Sequence, residues 1–440
     1  MSPVVHNFLQ LDAMPLAAGL LAAVLCGLLG NFLILRKLSL MGDAISHSVL
    51  PGLVAAFLIT HSRSPGPMFI GAAAAGVVTV GLVELVRKIG RIETGAAMGV
   101  VFSLLFALGV LLIEQASIPG VDLDPDCVLY GELSTIFWFP PDTWGGFLSL
   151  DTLGRVPRQV VTLLVMAVLA TGFVVVLFKE LRLAAFDPAL ATAQGFHAGL
   201  MHFLLMLFVA AATVASFEAV GSILVIAMLI CPAATARLLT DRLRPQIVVS
   251  VAIAAASAVL GYLGANALPA ALGRSWSLNS AGGMTVAAGG LFLAAALFGP
   301  RHGVVGRWVR RRRLEGTVAM EDVLAALYRR GEGAAGAPTR AEVAALVGQR
   351  AARRGVRLAE ATGLIQQGER VVLTEVGEVA ARDLVRRHRL WESYLVTEAG
   401  VAPDHVHDTA ERLEHLVVRP EGDSATDPHG RRIPSQADRT

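Results

Sequence analysis

Charge is scarce in this chain. Asp, Glu, Lys and Arg make up only 16% of its 440 residues, while 54% are hydrophobic. Soluble domains carry about a quarter charged residues, so an ordinary soluble fold is excluded for most of the length. Cysteine is scarcer still. Cys26, Cys127 and Cys231 lie far apart, and two fall in apolar runs, which speaks against a disulfide framework or a thiolate metal site. There is no Gly-x-x-x-x-Gly-Lys-Ser/Thr phosphate loop, no nucleophile elbow and no His-Glu-x-x-His run. The chain is therefore expected to be no enzyme and not to hydrolyse ATP itself. The N-terminus lacks the basic flank and small-residue cleavage pattern of a removable signal, so its first apolar run reads as a retained span.

The charge that is present is uneven. Residues 1–300 are mostly apolar, and 301–440 are dense in Arg, Glu, Asp and His. The net charge of +2 averages two unlike parts and says little about partners. Apolar runs near 16–35, 43–61, 67–86, 95–114, 159–178, 200–217, 219–239, 246–265 and 281–299 are each long enough to cross a bilayer. Basic residues recur at alternate span ends: Arg36-Lys37, Arg87-Lys88, Lys179 with Arg182, Arg237 with Arg242, and Arg301 with Arg307. That predicts an outer N-terminus and a cytoplasmic C-terminus. The loop over 115–158 is acidic, with Asp122, Asp124, Asp126, Glu132 and Asp142. It suits cation attraction, partner docking or plain solvation.

The most informative stretch is 36–52, Arg-Lys-Leu-Ser-Leu-Met-Gly-Asp-Ala-Ile-Ser-His-Ser-Val-Leu-Pro-Gly. Asp43 and His47 are four apart and share a helix face. A carboxylate and an imidazole make a ligand pair for Mn, Fe or Zn. Ionisable groups beside lipid usually face a pathway. Pro51-Gly52 is expected to break the helix one turn later. An interfacial helix start, with Asp43 at the positive dipole end, is the competing reading of the same spacing. Farther on, Asp187-Pro188 reads as cap and first residue of a short helix that Gly195 ends. Such a helix on the inner face suits either a motor subunit's docking site or a simple linker.

Behind a basic linker, the tail reads as helix, helix, basic helix, hairpin. This is the order of a winged helix-turn-helix. Thr339-Arg-Ala-Glu342 is a capping box. Arg350, Arg353, Arg354 and Arg357 mark the basic helix. They suit DNA phosphates or an inner-leaflet patch. Beyond them, His388 and Glu392 share one helix face, as do Glu411, Glu414 and His415 on the next. Two such helices are a good divalent-metal constellation.

Two resemblances rest on these motifs. Residues about 10–300 resemble the membrane subunits of the manganese/zinc/iron ABC permease family. The matching runs are 30–52, 99–109, 121–124 and 220–237. The resemblance implies that Asp43 and His47 line the ion pathway and that Phe186, Asp187, Pro188 and Gly195 mark the helix coupling it to an ABC ATPase. It further implies an extracytoplasmic metal-binding protein and a second permease subunit, alike or different. Residues about 317–434 look like the diphtheria-toxin-repressor-like, metal-responsive regulators, through 373–378, 387–392, 406–407, 411–415 and 427–434. Carried over, one metal site uses Asp322, Glu411, Glu414 and His415, and a second uses His388, Glu392 and His407. Ala325 stands where manganese-type members tend to have a further carboxylate, and the run from Leu416 to Asp427 looks short for a dimer helix.

The expectation is an all-α polytopic membrane protein of about eight or nine spans, followed by a small winged-helix and helical metal-binding domain. Its expected parts are a permease over 1–300, a linker over 301–316, a winged helix over 317–374 and a metal-binding, dimerisation-like region with a flexible end over 375–440. The expected function is the permease subunit of a divalent-metal importer in a bacterial inner membrane, with a cytoplasmic metal-sensor tail. The metal, Mn, Fe or Zn, is substrate and candidate regulator. The alternatives are a membrane-tethered metal-dependent transcription regulator, with DNA as partner, and a metal-chelate permease.

Overall fold

The computed structural model describes residues 3–61, 64–116, 133–141, 154–273, 278–333, 336–415 and 425–434. Asp122, Asp124, Asp126, Cys127, Glu132 and Asp142 of the acidic loop lie outside the described residues. The chain divides into two compact units, 1–306 and 307–440.

The first unit is helical. Its elements are α1 (Pro3–Leu11), α2 (Ala13–Leu35), α3 (Met41–Thr60), α4 (Pro65–Gly90), α5 (Thr94–Ala116), α6 (Arg158–Val176), α7 (Phe178–Phe186), α8 (Pro188–Ala193), α9 (Ala198–Leu239), α10 (Leu243–Ala271) and α11 (Ser280–Phe298). Eight of them, α2 to α6 and α9 to α11, are long and apolar enough to cross a membrane. The most enclosed is α2, against which α6, α9 and α10 pack. Small residues set the close approaches. A Cβ on Gly30 would meet the Leu229 carbonyl at 2.0 Å, and one on Gly52 would meet the Gly71 carbonyl at 2.3 Å.

Helix α9 is a 42-residue helical run, roughly 63 Å if straight. It is not straight. Arg36, at the end of α2, lies 2.6 Å from His202 near the start of α9. Cys26 lies beside Ser216. Gln246, seven residues past the end of α9, donates to Asn31 at 3.2 Å. Both ends of α9 thus lie by the same end of α2, and the chain turns back between them. The turn is at Gly221, whose φ of 78° and ψ of 168° are non-helical. The expected spans at 200–217 and 219–239 are the two arms of this one run. Proline did not break α3 as expected. Pro51 sits inside it, and the helix continues to Thr60. Gly109 leaves room for the ring, since a Cβ there would lie 2.9 Å from Pro51 Cδ. The His47 carbonyl loses only its own helical hydrogen bond, because proline has no N–H.

The second unit holds most of α12 (Val304–Glu332), then α13 (Arg340–Val347), α14 (Gln349–Ala361), α15 (Glu375–Thr397) and α16 (His407–Leu413). The capping box is present: Thr339 N–H donates to Glu342 Oε2 at 2.8 Å, and Glu342 N–H donates to Thr339 Oγ1 at 3.4 Å. Buried Val323, Leu327, Val343, Val356 and Ile365 close a core in this unit. The expected hairpin is reduced to isolated antiparallel bridges, Ile365 with Leu373 and Thr339 with Arg370. Gly355 counts against a helix by propensity, yet α14 runs through it. A Cβ there would sit 2.1 Å from the Ala319 carbonyl, so glycine lets α14 cross α12 closely.

Candidate metal-handling sites

In the membrane unit, Asp43 lies in the first turn of α3 and His47 one turn on, with His47 Nε2 3.3 Å from Asp43 Oδ1. Both side chains are about one-third exposed, at 33% and 31%. They border open space in an otherwise closed stretch, since Ala44, Ile45, Ser46 and Ser48 are buried. The rings of Phe102 and Phe106, on α5, flank His47 at 5.6 and 5.7 Å. Below them, Thr79 donates to Ser48 Oγ at 2.5 Å and ties α4 to α3. The pair therefore offers one oxygen and one nitrogen donor on an apolar-walled face.

Glu218 was not singled out in the sequence. It is exposed at the turn-back of α9, three residues before Gly221, between buried Phe217 and Ala219. It is the one carboxylate in the whole 42-residue run. An acid inside an apolar run was the signal that would have found it.

The short helix expected after Phe186 is present as α8. Asp187 accepts from the Ala189 and Leu190 N–H groups, both at 3.0 Å, and Pro188 is its first residue. Gly195, at φ 85°, follows its end. Phe186 and Leu190 are exposed, which leaves an apolar face around α8.

In the second unit, three donors converge. His388 Nε2 is 3.0 Å from Glu392 Oε1 and 3.1 Å from His407 Nδ1, and His407 Nδ1 is 2.9 Å from the same Glu392 oxygen. Ligands around a tetrahedral ion of ~2.1 Å bond length lie roughly 3.4 Å apart, so these three donors need to open by only a few tenths of an ångström to hold one. His388 and Glu392 are buried on α15, while His407 is exposed on α16. Burial alone would raise the Glu392 carboxyl, but hydrogen bonds from His388 and His407 hold it down at about 2. Burial likewise works against a charged His388, and its bonds to Glu392 and Glu414 outweigh it, so His388 is raised.

Asp322, Glu414 and His415 form a second set, with one ligand atom from each within 4.8 Å of the others. His415 Nε2 faces Asp322 Oδ1 at 3.4 Å and Glu414 Oε1 at 4.0 Å. Its Nδ1 donates to Glu321 Oε2 at 2.5 Å. Hydrogen bonds to Asp322 and Glu321 push the imidazole up to about 10. Glu321 was missed in the sequence because it reads as a surface acid beside Asp322. Its contact fixes the ring so that Nε2 is the nitrogen turned toward Asp322 and Glu414. Glu411 stands outside this set. It lines an adjoining cavity of about 560 Å³ with Asp322, Arg329 and Glu414. Helix α16 stops at Leu413, so Glu414 and His415 sit in the turn after it rather than on its face.

The run 427–434 is tied back to α15. Arg386 donates to the Pro434 carbonyl and buried Arg389 to the Arg432 carbonyl, each at 2.5 Å, and Arg389 also pairs with Glu332 at the end of α12. Arg350, Arg353, Arg354 and Arg357 are all exposed on α14.

Known proteins share both parts. Residues 8–137 and 147–298 match the ABC 3 transport family. Residues 374–435 match the iron dependent repressor, metal binding and dimerisation domain. The manganese transport system membrane protein MntD of Bacillus subtilis is 39% identical over 302 residues, 69% of this chain and 97% of that protein. The zinc transport system membrane protein TroD of Treponema pallidum is 35% identical over 300 residues, 67% of this chain and 75% of that protein. PsaBC from Streptococcus pneumoniae, solved in complex with Fab, superposes with a TM-score of 0.53 at 27% identity, covering 68% of this chain and 94% of that one. The chain is a multi-pass membrane protein that belongs to the ABC 3 transport family and carries a metal-binding domain of the iron-dependent-repressor type behind its membrane unit.

Proposed function

We propose that this chain is the membrane subunit of an importer for a divalent transition metal, manganese, zinc or iron, in a bacterial inner membrane. The observation that carries the reading is the Asp43–His47 pair, one hard and one borderline donor on an apolar-walled face of α3. Two protein ligands hold an ion weakly enough to release it, as a pathway requires. Glu218, at the turn-back of α9, is a further carboxylate station. The apolar, capped α8, with Phe186, Asp187, Pro188 and Gly195, takes the ATPase subunit that supplies the energy. A second permease subunit and an extracytoplasmic metal-binding protein complete the importer.

The tail lies in the cytoplasm and binds the same class of ion. His388, Glu392 and His407 hold one ion, and Asp322, Glu414 and His415 hold another, with Glu411 at its rim. Bound metal neutralises these acids and restrains import when internal metal is plentiful. The test is uptake of labelled Mn, Zn and Fe by cells carrying the chain with its ATPase and binding protein. Accumulation of one ion supports the reading. Accumulation of none returns the chain to the tethered-regulator or metal-chelate reading.

A further inference from the structure

We propose that the arginine face of the tail binds anionic phospholipid headgroups. Arg307 and Arg310 to Arg313 lie on the first half of α12, which begins six residues after α11 ends at Phe298. Trp308 is half-exposed, and the Arg312 guanidinium stacks on it at 3.9 Å. A tryptophan beside arginines is the residue set that seats at headgroup level. Arginines clustered just past a span are what a negatively charged leaflet attracts.

A second arginine row is folded against the first. Arg350, Arg353, Arg354 and Arg357 follow i, i+3, i+4, i+7 and share the exposed face of α14. The opposite face, with Ala352, Gly355, Val356 and Ala359, is buried. The rows meet where Arg354 pairs with Glu315 at 3.3 Å and where Gly316 lies against Leu358. Glu315 also pairs with Arg311, at 3.1 Å. It is the one acid within 307–315 and 350–357, against nine arginines.

The same arginines suit DNA by charge, but the shape disfavours it. A major groove is about 12 Å wide and admits one helix. A helix with side chains is about 10–12 Å across. Here α12 runs beside the arginine face of α14 at Glu315 and Gly316 and continues on to Val304. The first half of α12, with its own five arginines, runs on past the arginine face of α14, and a headgroup plane takes both rows, whereas a groove that admits one helix takes only the row on α14. The lipid is also met within the same molecule, because the arginine rows are tethered to the spans. This inference is independent of whether the chain transports metal.

The test uses the full chain in lipid nanodiscs. Cys26→Ser, Cys127→Ser and Cys231→Ser leave a single label site introduced by Gln349→Cys at the start of α14. Energy transfer runs from that label to headgroup-labelled lipid. With about 30% phosphatidylglycerol, transfer should be about two-fold or more above pure phosphatidylcholine. It should fall to the phosphatidylcholine level in about 0.5 M salt, and in the R350E/R353E/R357E variant. Equal transfer in both lipids overturns the proposal. So does a phosphatidylglycerol effect that survives the triple substitution, or arginine-dependent capture of duplex DNA that phosphatidylglycerol leaves unchanged.

Discussion

Glu414 accepts a hydrogen bond from Nδ1 of His388, and that contact joins the two acid–histidine clusters of the tail. Through Nε2, the same His388 reaches Glu392 and His407. Through its other oxygen, the same carboxylate approaches His415 Nε2 at 4.0 Å. A metal at either cluster therefore acts on a group belonging to the other.

Glu414→Ala should weaken metal binding at both clusters rather than one. A ligand is lost at the second set. At the first, His388 loses the carboxylate that orients it, and such a loss typically costs about 10–100-fold in affinity. Manganese titration of the chelated protein, read by electron paramagnetic resonance, checks this. His407→Ala is the comparison and should weaken one class of site and leave the other.

The imidazole of His415 should stay protonated well above neutrality in the metal-free protein. Its pKa is raised from the ordinary 6.5 to about 10, first by Asp322 and then by Glu321. A raised pKa means the ion pairs stabilise the fold fully below pH 6.5. That stabilisation fades as pH rises through about 10. Ring-proton NMR on histidine-labelled protein should show one titration near the top of that window. Glu321→Gln should move it down toward 6.5.

Gly355→Ala should destabilise the tail by about 1–3 kcal/mol, because the new Cβ overpacks the α12–α14 crossing. Gly331→Ala, in the same unit and with open space around it, should be neutral or gain up to about 1 kcal/mol. Hydrogen exchange of α14 peptides separates the two. The first variant should exchange faster and the second should not.

Features written in local chemistry were legible in the sequence. Asp187, Pro188 and Gly195 form the cap, first residue and end of α8 by their own backbone preferences. Thr339 and Glu342 close their capping box within four residues. Features set by distant neighbours were not legible. Pro51 looked like a helix break, but Gly109 on another helix makes room for its ring. The turn-back at Gly221 was legible only as the boundary between the spans expected at 200–217 and 219–239, and the glycine itself was not singled out. Gly355 argued against a helix because the reason for it, the Ala319 carbonyl, is 36 positions away. At the tail site, Glu414 and His415 were found by residue type and Asp322 through the family resemblance, and the three come together. Glu321 was invisible because its role depends on which imidazole nitrogen it meets.

The most direct measurement is metal uptake by cells expressing the chain with its ATPase and binding protein. Wild type is compared with Asp43→Ala and His47→Ala at matched membrane levels. If Asp43 and His47 coordinate the ion on its path as proposed, each variant removes a ligand, and uptake should fall by about 10-fold or more in both. The tail's metal binding should be unchanged. Uptake that survives both substitutions would contradict the assignment of Asp43 and His47 to the ion's path.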